Sequence, residues 1–582
     1  MAKNAFLVGP VLSFRGISGN GKDWQVTALV GIDAHAPIPP MQVESRACPA
    51  PRELLLHRNQ HFLRYDLSCP LQAQERRVRF GVPQGGIEWS FTVPALGATP
   101  RLAYVSCNGF SDPSGMRKLV RPENAVWEDL LISHDKELRD QQTPLLDREQ
   151  LWHETRIHER GLQRFHLLLM GGDQIYFDSI WEDIPRLKAW VGLSRQEQLG
   201  FRVSKELEGQ IEHYYFSLYS SRWLGSKRRA WGVGKPNRDG ADALARIPTI
   251  MMWDDHDIFD GWGSYSCEMQ QSPLFQTLFR HARRAFWVFQ MQHALSDLPA
   301  LQEATPAGFS VQDPLYQPVA WNTVLRHDPR ALPLLDGQPG FTSAFRMGAV
   351  ALVVADLRTE RSRTQILGPE SWNALKRWLN NPGSPTTATR HLLFMSSVPV
   401  VHPKLGLAEG WLDTFGQDHV LDSNADDLKD HWAHDDHEGE RKRLLDVLFG
   451  TAQTQKLRVS ILSGDVHVAA WGLASHQDAA AAATTGPIQQ FTSSGVVHPS
   501  LMNVFERLFL RMLESTAAKA QQDAQYRIEM MRFPGHSRYV LAARNWLALE
   551  LDEGGDAPSH KLWATWRCET ETGFSNHMQT VP

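Results

Sequence analysis

The rhythm of hydrophobic and polar positions changes once along the chain, near residue 97. Before that point, segments such as DWQVTALVGID (from Asp23), HFLRYDLSC (from His61), RRVRFGV (from Arg76) and IEWSFTVPA (from Ile87) alternate apolar and polar residues between Gly and Pro breaks. A period of two is that of strands with one face buried. Residues 1–97 are therefore expected to form a small N-terminal β-sandwich domain, closed by the Pro and Gly of PALGATPRL (from Pro94).

Beyond it the apolar residues gather into short continuous runs: RLAYVSC (from Arg101), FHLLLMGGD (from Phe165), IPTIMMWDD (from Ile247), GAVALVVADLR (from Gly348), RHLLFMSSVPV (from Arg390) and LRVSILSGDVH (from Leu457). Runs of that length, ending abruptly in polar residues, are expected as strands buried on both faces. Segments of helical character lie between them, among them GPESWNALKRWLNN (from Gly368) and EGERKRLLDVLFG (from Glu438). Strands alternating with helices predict a layered α/β domain over residues 98–582. SHQDAAAAATTG (from Ser475) is expected as a loop or helical insertion. RNWLALELDE (from Arg544) and HKLWATWRCE (from His560) alternate again, as a C-terminal β-hairpin would.

Composition narrows the class. At 582 residues the chain can bury a large core, and its 42% hydrophobic and 21% charged residues are ordinary for a globular protein. A net charge of −5 supplies no global basic field for nucleic acid. No apolar run approaches the roughly 18–20 residues of a membrane helix. MAKNAFLVGPVLSFRG lacks a secretory h-region and a twin-arginine pair, so the expected location is cytoplasmic. Five Cys without CxxC spacing argue against a disulfide framework or zinc ribbon.

The candidate chemistry stands where strands end. RLAYVSC delivers Cys107 and Asn108; HLLLMGGD delivers Asp173, with Tyr176 three residues on. TIMMWDDHD supplies Asp254, Asp255, His256 and Asp257, and VSILSGDVH supplies Asp465 and His467. Ligands of open α/β sheets bind beyond the carboxyl ends of strands, so these four clusters can converge. Three acids and an imidazole directly after MMW concentrate like charge beside a core strand, and a bound cation is the simplest compensation. Taken singly each cluster has a blander reading. A Gly-Asp is often a turn, and a free Cys is often a small buried hydrophobe.

In order and completeness, SCN (106–108), GDQIY (172–176), WDDHD (253–257) and SGDVH (463–467) resemble the PhoD-like (alkaline phosphatase D) family of metallophosphoesterases, and DLRTER (356–361) resembles another recurring segment of it. The similarity covers roughly residues 100–500. It implies a metallophosphoesterase-like four-layer αββα sandwich behind an N-terminal β-sandwich. It also implies a two-metal centre: Asp173 bridging, Fe(III) held further by Cys107, Tyr176 and His467, and Ca(II) or another divalent cation held by Asp255 and Asp465. Thiolate and phenolate suit an oxidised transition metal, carboxylates an oxygen-loving cation.

The activity implied is hydrolysis of phosphate monoesters or diesters by a metal-activated water. His256 stands where the superfamily places its His near the leaving group, and Arg358 is a candidate fork for a phosphate oxygen. Asn108 and Asp254 are candidate orienting partners of the ligands, and His498 in SSGVVHP is a further candidate for the site. Trp253 and Trp262 line either the mouth or the core.

A small phosphate ester is the expected partner, with no membrane and with nucleic acid only as substrate. A nuclease or nucleotide phosphodiesterase shares this ligand set, and the alternatives outside it are a non-catalytic scaffold and an iron-dependent redox enzyme. The scaffold reading is disfavoured because no ligand is missing, and the redox reading leaves the acidic cluster without a purpose. Two departures from the secreted bacterial members stand out: IFDGWGSY follows Asp257, which leaves the pocket rim and substrate open, and the expected lack of an export signal argues against a role in scavenging extracellular phosphate. DDLKDHWAHDDHEGE (from Asp426) and the basic SKRRAWGVGKPNR (from Ser226) are expected as solvated segments.

Overall fold

A computed structural model describes residues 6–83, 87–110, 119, 121–135, 164–222, 238–299, 317–382, 388–402, 432, 437–499, 504–522, 525–553 and 560–582. The first strand, β1 (Val8–Ile17), shares an eleven-stranded sheet with β2 (Leu102–Val105), β3 (Leu167–Gly171) and β4 (Thr249–Met252). A second, nine-stranded sheet carries β5 (Val350–Val354), β6 (His391–Ser396), β7 (Arg458–Ser463) and β8 (Ile488–Ser493). All six apolar runs expected as strands are strands.

Side-chain alternation on these strands explains the layering. Leu102, Tyr104, Leu167, Leu169, Ile250 and Met252 face Val350, Leu352, Val354, Leu393, Met395 and Leu462 in one core between the sheets. Their neighbours point the other way. Ala103, Val105, Leu168 and Met170 pack under helices α1 (Ala125–Asp135), α2 (Lys205–Arg222) and α3 (Pro273–Phe289). Ala351, Val353, Leu392, Phe394, Val459 and Ile461 pack under α4 (Pro369–Leu379) and α5 (Glu438–Gln455). Strands buried on both faces read as continuous apolar runs, which is why no alternation marks them in the sequence.

Parallel pairing sets the carboxyl ends side by side. β2 pairs β3 from Leu102↔Leu167 to Val105↔Met170, and β3 pairs β4 up to Gly171↔Met252. In the second sheet β6 pairs β7 up to Ser396↔Ser463, and β7 pairs β8 up to Ser463↔Thr492. Helix α3 buttresses this end from behind. Ser272 caps it by accepting from the Phe275 amide, and Pro273 occupies the first turn, where its missing N–H costs nothing. Its Phe286 stacks on Trp253 at 4.7 Å, and its Phe279 on Trp262 at 4.7 Å.

The N-terminal residues depart from expectation. They are rich in strands, but the boundary at residue 97 does not separate two sheets. β1 runs parallel to β4 with Ser13 opposite Thr249, and the Thr249 hydroxyl donates to the Leu12 carbonyl at 2.7 Å. Within this region, the four-stranded sheet that includes Arg76–Val82 and Ile87–Val93 stands apart from the large one. A buried triad fastens it: Glu75 accepts from Arg101 at 2.8 Å and contacts His166 at 3.1 Å. The expected C-terminal hairpin is a three-stranded meander, β9 (Asn545–Leu551), β10 (Leu562–Glu569) and β11 (Phe574–Val581), with β9 antiparallel to β2. The alanine-rich insertion is a short helix, Ala479–Thr485, capped by the Asp478 side chain. Among the described residues no helix is long and apolar enough to cross a membrane.

Candidate metal centre

Four of the expected ligands bend the backbone against its preference. Cys107 (φ 56°), Asp173 (φ 56°), Asp465 (φ 71°) and His467 (φ 51°) are four of the ten non-glycine residues with positive φ among those described. Left-handed geometry costs such residues about 1–3 kcal/mol each and gathers at functional sites. Here it turns the chain sharply at the strand ends, so that side chains face a common point. The turns are stitched together: the Cys107 amide donates to the Gly172 carbonyl at 3.2 Å, and the Asn108 amide to the Asp173 carbonyl at 2.8 Å. Gly172 (φ 104°) has to be glycine, because a Cβ there would stand 2.7 Å from Cβ of Asp254.

Asp173, Asp254, Asp255 and Asp465 each bring a carboxylate oxygen within 4.8 Å of the others, and Asp173, Asp255 and His256 form an overlapping group of the same span. Burial, reinforced by Cys107, pushes the Asp173 carboxyl well above its usual range. Burial beside Cys107 and Asp173 does the same to the Tyr176 phenol. The Cys107 thiol lies 3.4 Å from Asp173 Oδ2 and 3.1 Å from the Ser494 hydroxyl, and burial raises it too. Asp173 Oδ1 is buried without a hydrogen-bond partner among the described residues. Converging acidic groups around an orphaned carboxylate oxygen fit a cation. The structure thus brings Asp173, Asp254, Asp255, His256 and Asp465 to one point, with Cys107 and Tyr176 beside Asp173.

His256 and His467 join from either side. Nδ1 of His256 meets Asp178 Oδ2 at 2.9 Å. Burial alone would depress this imidazole, but Asp178, Asp255 and Asp173 outweigh it and hold it well above the ordinary histidine value. Its ring stacks on Tyr176 at 4.2 Å. His467 is pushed the other way, well down, by burial and by His498, which stacks on it at 3.6 Å. His498 thus packs against an expected ligand, and its Nδ1 is engaged by the Pro499 carbonyl at 3.0 Å.

Arg358 lies beside the acidic cluster. Its guanidinium is fully buried. Nε donates to Asp254, Nη1 to the Trp262 carbonyl at 2.9 Å and Nη2 to Asp255 Oδ1 at 3.2 Å. Its donors thus go to the two aspartates and to backbone, which holds Asp254 and Asp255 in place. Asp254 also accepts from the Ser397 hydroxyl at 2.7 Å, which fits the orienting role expected of it. Asn108 orients too, donating to the Gln174 carbonyl at 3.3 Å while accepting from Trp127 at 2.9 Å. Trp253 and Trp262 belong to the core rather than to a mouth. Most of DDLKDHWAHDDHEGE and nearly all of SKRRAWGVGKPNR lie outside the described residues.

Asp178 was not among the candidates read from the sequence, and Asp257 was named there only as a member of the WDDHD cluster. Asp178 stands five residues after Asp173 in GDQIYFD, and that acidic residue was the available signal. Asp257 is fully buried and accepts from the amides of Gln174, Ile175 and Asp254 and from the Gln290 side chain, binding the GDQIY loop to the WDDHD loop. Burial pushes its carboxyl up to about 7 against those bonds.

The profile of a family described as PhoD related phosphatase matches residues 135–311 and 404–522, together about half of the chain. Those segments contain Asp173, Tyr176, Asp255, His256, Asp465 and His467, and leave out Cys107 and Arg358. An uncharacterized protein of Saccharomyces cerevisiae is 28% identical over 454 residues, an alignment that takes in 72% of this chain and 57% of the yeast protein. The chain thus spans less than two thirds of that relative's length.

Proposed function

Because the chain belongs to the PhoD-related phosphatases, we propose that it hydrolyses small phosphate esters at a two-metal centre, on the metallophosphoesterase plan of paired sheets between helices. The observation that carries this reading is the cluster of Asp173, Asp254, Asp255 and Asp465 within 4.8 Å, beside a buried, unpartnered Asp173 oxygen. Asp173 would bridge the ions. Cys107, Tyr176 and His467 would complete a site suited to Fe(III), and Asp255 and Asp465 one suited to Ca(II) or another divalent cation. When bound, two such cations neutralise the phosphoryl oxygens and lower the pKa of an attacking water.

The chain's own groups do the rest. Asp178 accepts from Nδ1 of His256, which leaves Nε2 as the donor for a departing alkoxide. The Asp178 carboxylate also favours the protonated imidazole. Arg358 and Ser397 hold Asp254, and the Gly261 amide donates to Asp255 Oδ2 at 2.8 Å, so the acidic edge is set before substrate arrives.

The test is to purify the protein without chelator and measure metal content, visible absorption and hydrolysis of a nitrophenyl monoester and a bis-nitrophenyl diester, with Asp173→Ala as control. Bound metal, a tyrosinate-to-iron band and activity lost in the variant are the expected results. A protein that takes up no metal and matches its variant refutes the assignment.

A further inference from the structure

Two of the expected ligands arrive from different sheets: Cys107 follows β2, and His467 follows β7. One side chain touches both. Ser494, the residue after β8, is fully buried; its hydroxyl accepts from the His467 amide at 3.0 Å and lies 3.1 Å from the Cys107 sulfur. A serine hydroxyl has one proton to give, and the His467 N–H can only donate. Among the described residues, the sulfur is therefore the acceptor left for that proton. The thiol does not depend on this contact, because Asp173 Oδ2 at 3.4 Å and the Asp465 carbonyl at 3.8 Å accept from it. Ser106 lies 3.5 Å from the same sulfur, but its hydroxyl donates to the Ser493 carbonyl at 3.2 Å.

The position of Ser494 is fixed from both sheets. Asn545, which opens β9 in the first sheet, donates to the Ser494 carbonyl at 2.7 Å and accepts from the Ser493 hydroxyl at 2.6 Å. The next residues fold over Cys107. The Val496 amide donates to the Ser106 carbonyl at 3.0 Å, and the Val497 and His498 amides donate to the Cys107 carbonyl at 3.3 and 3.2 Å. Gly495 (φ 83°) permits that turn, since a Cβ there would stand 2.4 Å from the His498 carbonyl oxygen.

We propose that Ser494 is a positioning residue of the metal centre, whose hydroxyl couples Cys107 to His467 across the two sheets and donates to the ligating sulfur. The idea rests on the two-metal reading above, in which both residues are ligands. A ligating sulfur carries no proton and so accepts. A donor aimed at it withdraws electron density from the metal–sulfur bond and raises the energy of the sulfur-to-metal transition. Partners of this kind orient ligands and tune the metal, and their loss typically costs about 10–100-fold in metal affinity.

In the test, chelator-treated wild type, Ser494→Ala and Ser106→Ala are titrated with Co(II), whose sulfur-to-cobalt band in the near ultraviolet reports a bound thiolate. Ser494→Ala is expected to move that band to longer wavelength and to need about tenfold more Co(II) for half-saturation. Ser106→Ala should keep the wild-type wavelength. A Ser494→Ala band at the wild-type wavelength overturns the proposal even if the variant melts lower, because a purely structural hydroxyl lowers stability without touching the band. An equal shift in Ser106→Ala overturns it too. Should Ser494→Ala fail to fold, wild type alone decides. Apoprotein exchanged into D2O and loaded with Co(II) should show a displaced cobalt–sulfur stretch by resonance Raman, and an unmoved stretch overturns the proposal. Cobalt bound without a sulfur band removes Cys107 from the ligands, and the role of Ser494 with it, while a metal centre stands. No uptake of cobalt refutes the metal-centre reading itself.

Discussion

Replacing Arg358 by methionine separates the two roles open to this residue. Its guanidinium is 0% exposed, and its aspartate partners Asp254 and Asp255 are 1% and 5% exposed. Removing one partner of a buried ion pair leaves an uncompensated charge and typically costs about 3–5 kcal/mol. Here two carboxylates lose their shared cation, and Asp173 and Asp465 lie within 4.8 Å of both. The variant should therefore fall at the upper end of that range in chelator. Metal supplies a substitute positive charge, so the deficit should shrink to about half or less when the centre is loaded.

The assay is thermal or urea unfolding of wild type, Arg358→Met and Arg358→Lys, each with chelator and with metal. Lysine keeps the charge but cannot reach Asp254, Asp255 and the Trp262 carbonyl together, and should lie between the other two. A methionine variant as stable as wild type, with only a raised KM, would refute the positioning role and restore Arg358 as a phosphate ligand.

Two further perturbations probe the frame around the site. Asp257→Asn removes no expected ligand, yet it sets an amide NH2 among the donors of Gln174, Ile175, Asp254 and Gln290. It should cost about 1–3 kcal/mol and lower kcat by tenfold or more through misplaced loops, as steady-state kinetics would read. Glu75 sets an acid limit. Burial would raise its carboxyl, but His166 and Arg101 outweigh burial and hold it far below the usual range. Its stabilisation is complete above the unfolded value of about 4.3 and fades as pH falls below it. Glu75→Gln should be less stable near neutrality and lose less between pH 5 and 3; parallel curves in pH-dependent melts would exclude this linkage.

Much of this site was legible because its parts are local. Each ligand cluster directly follows an apolar run, and a strand buried on both faces cannot carry charge until it leaves the sheet. Cys107, Asp173, Asp255, Asp465 and His467 were therefore visible as strand endings. What stayed hidden is set by contacts across the chain. The role of Arg358 depends on Asp254 and Asp255 a hundred residues earlier, so a lone DLRTER reads equally well as a substrate grip. The alternation of residues 1–97 correctly signalled strands, but a period of two is the same whether a strand closes its own sandwich or joins a sheet made elsewhere.

That last point bears on how the chain reaches its native state during synthesis. The neighbour that completes β1 on one side is β4, which begins 232 positions after β1 ends. β2 is flanked by β9, which begins almost at the far end of the chain. A ribosome therefore releases β1 and β2 long before their partners exist, and both must wait with unpaired edges. Such long-range pairing slows folding and exposes intermediates to aggregation. Expression should thus depend on chaperone supply, and fragments cut near residue 97 should be insoluble from either side.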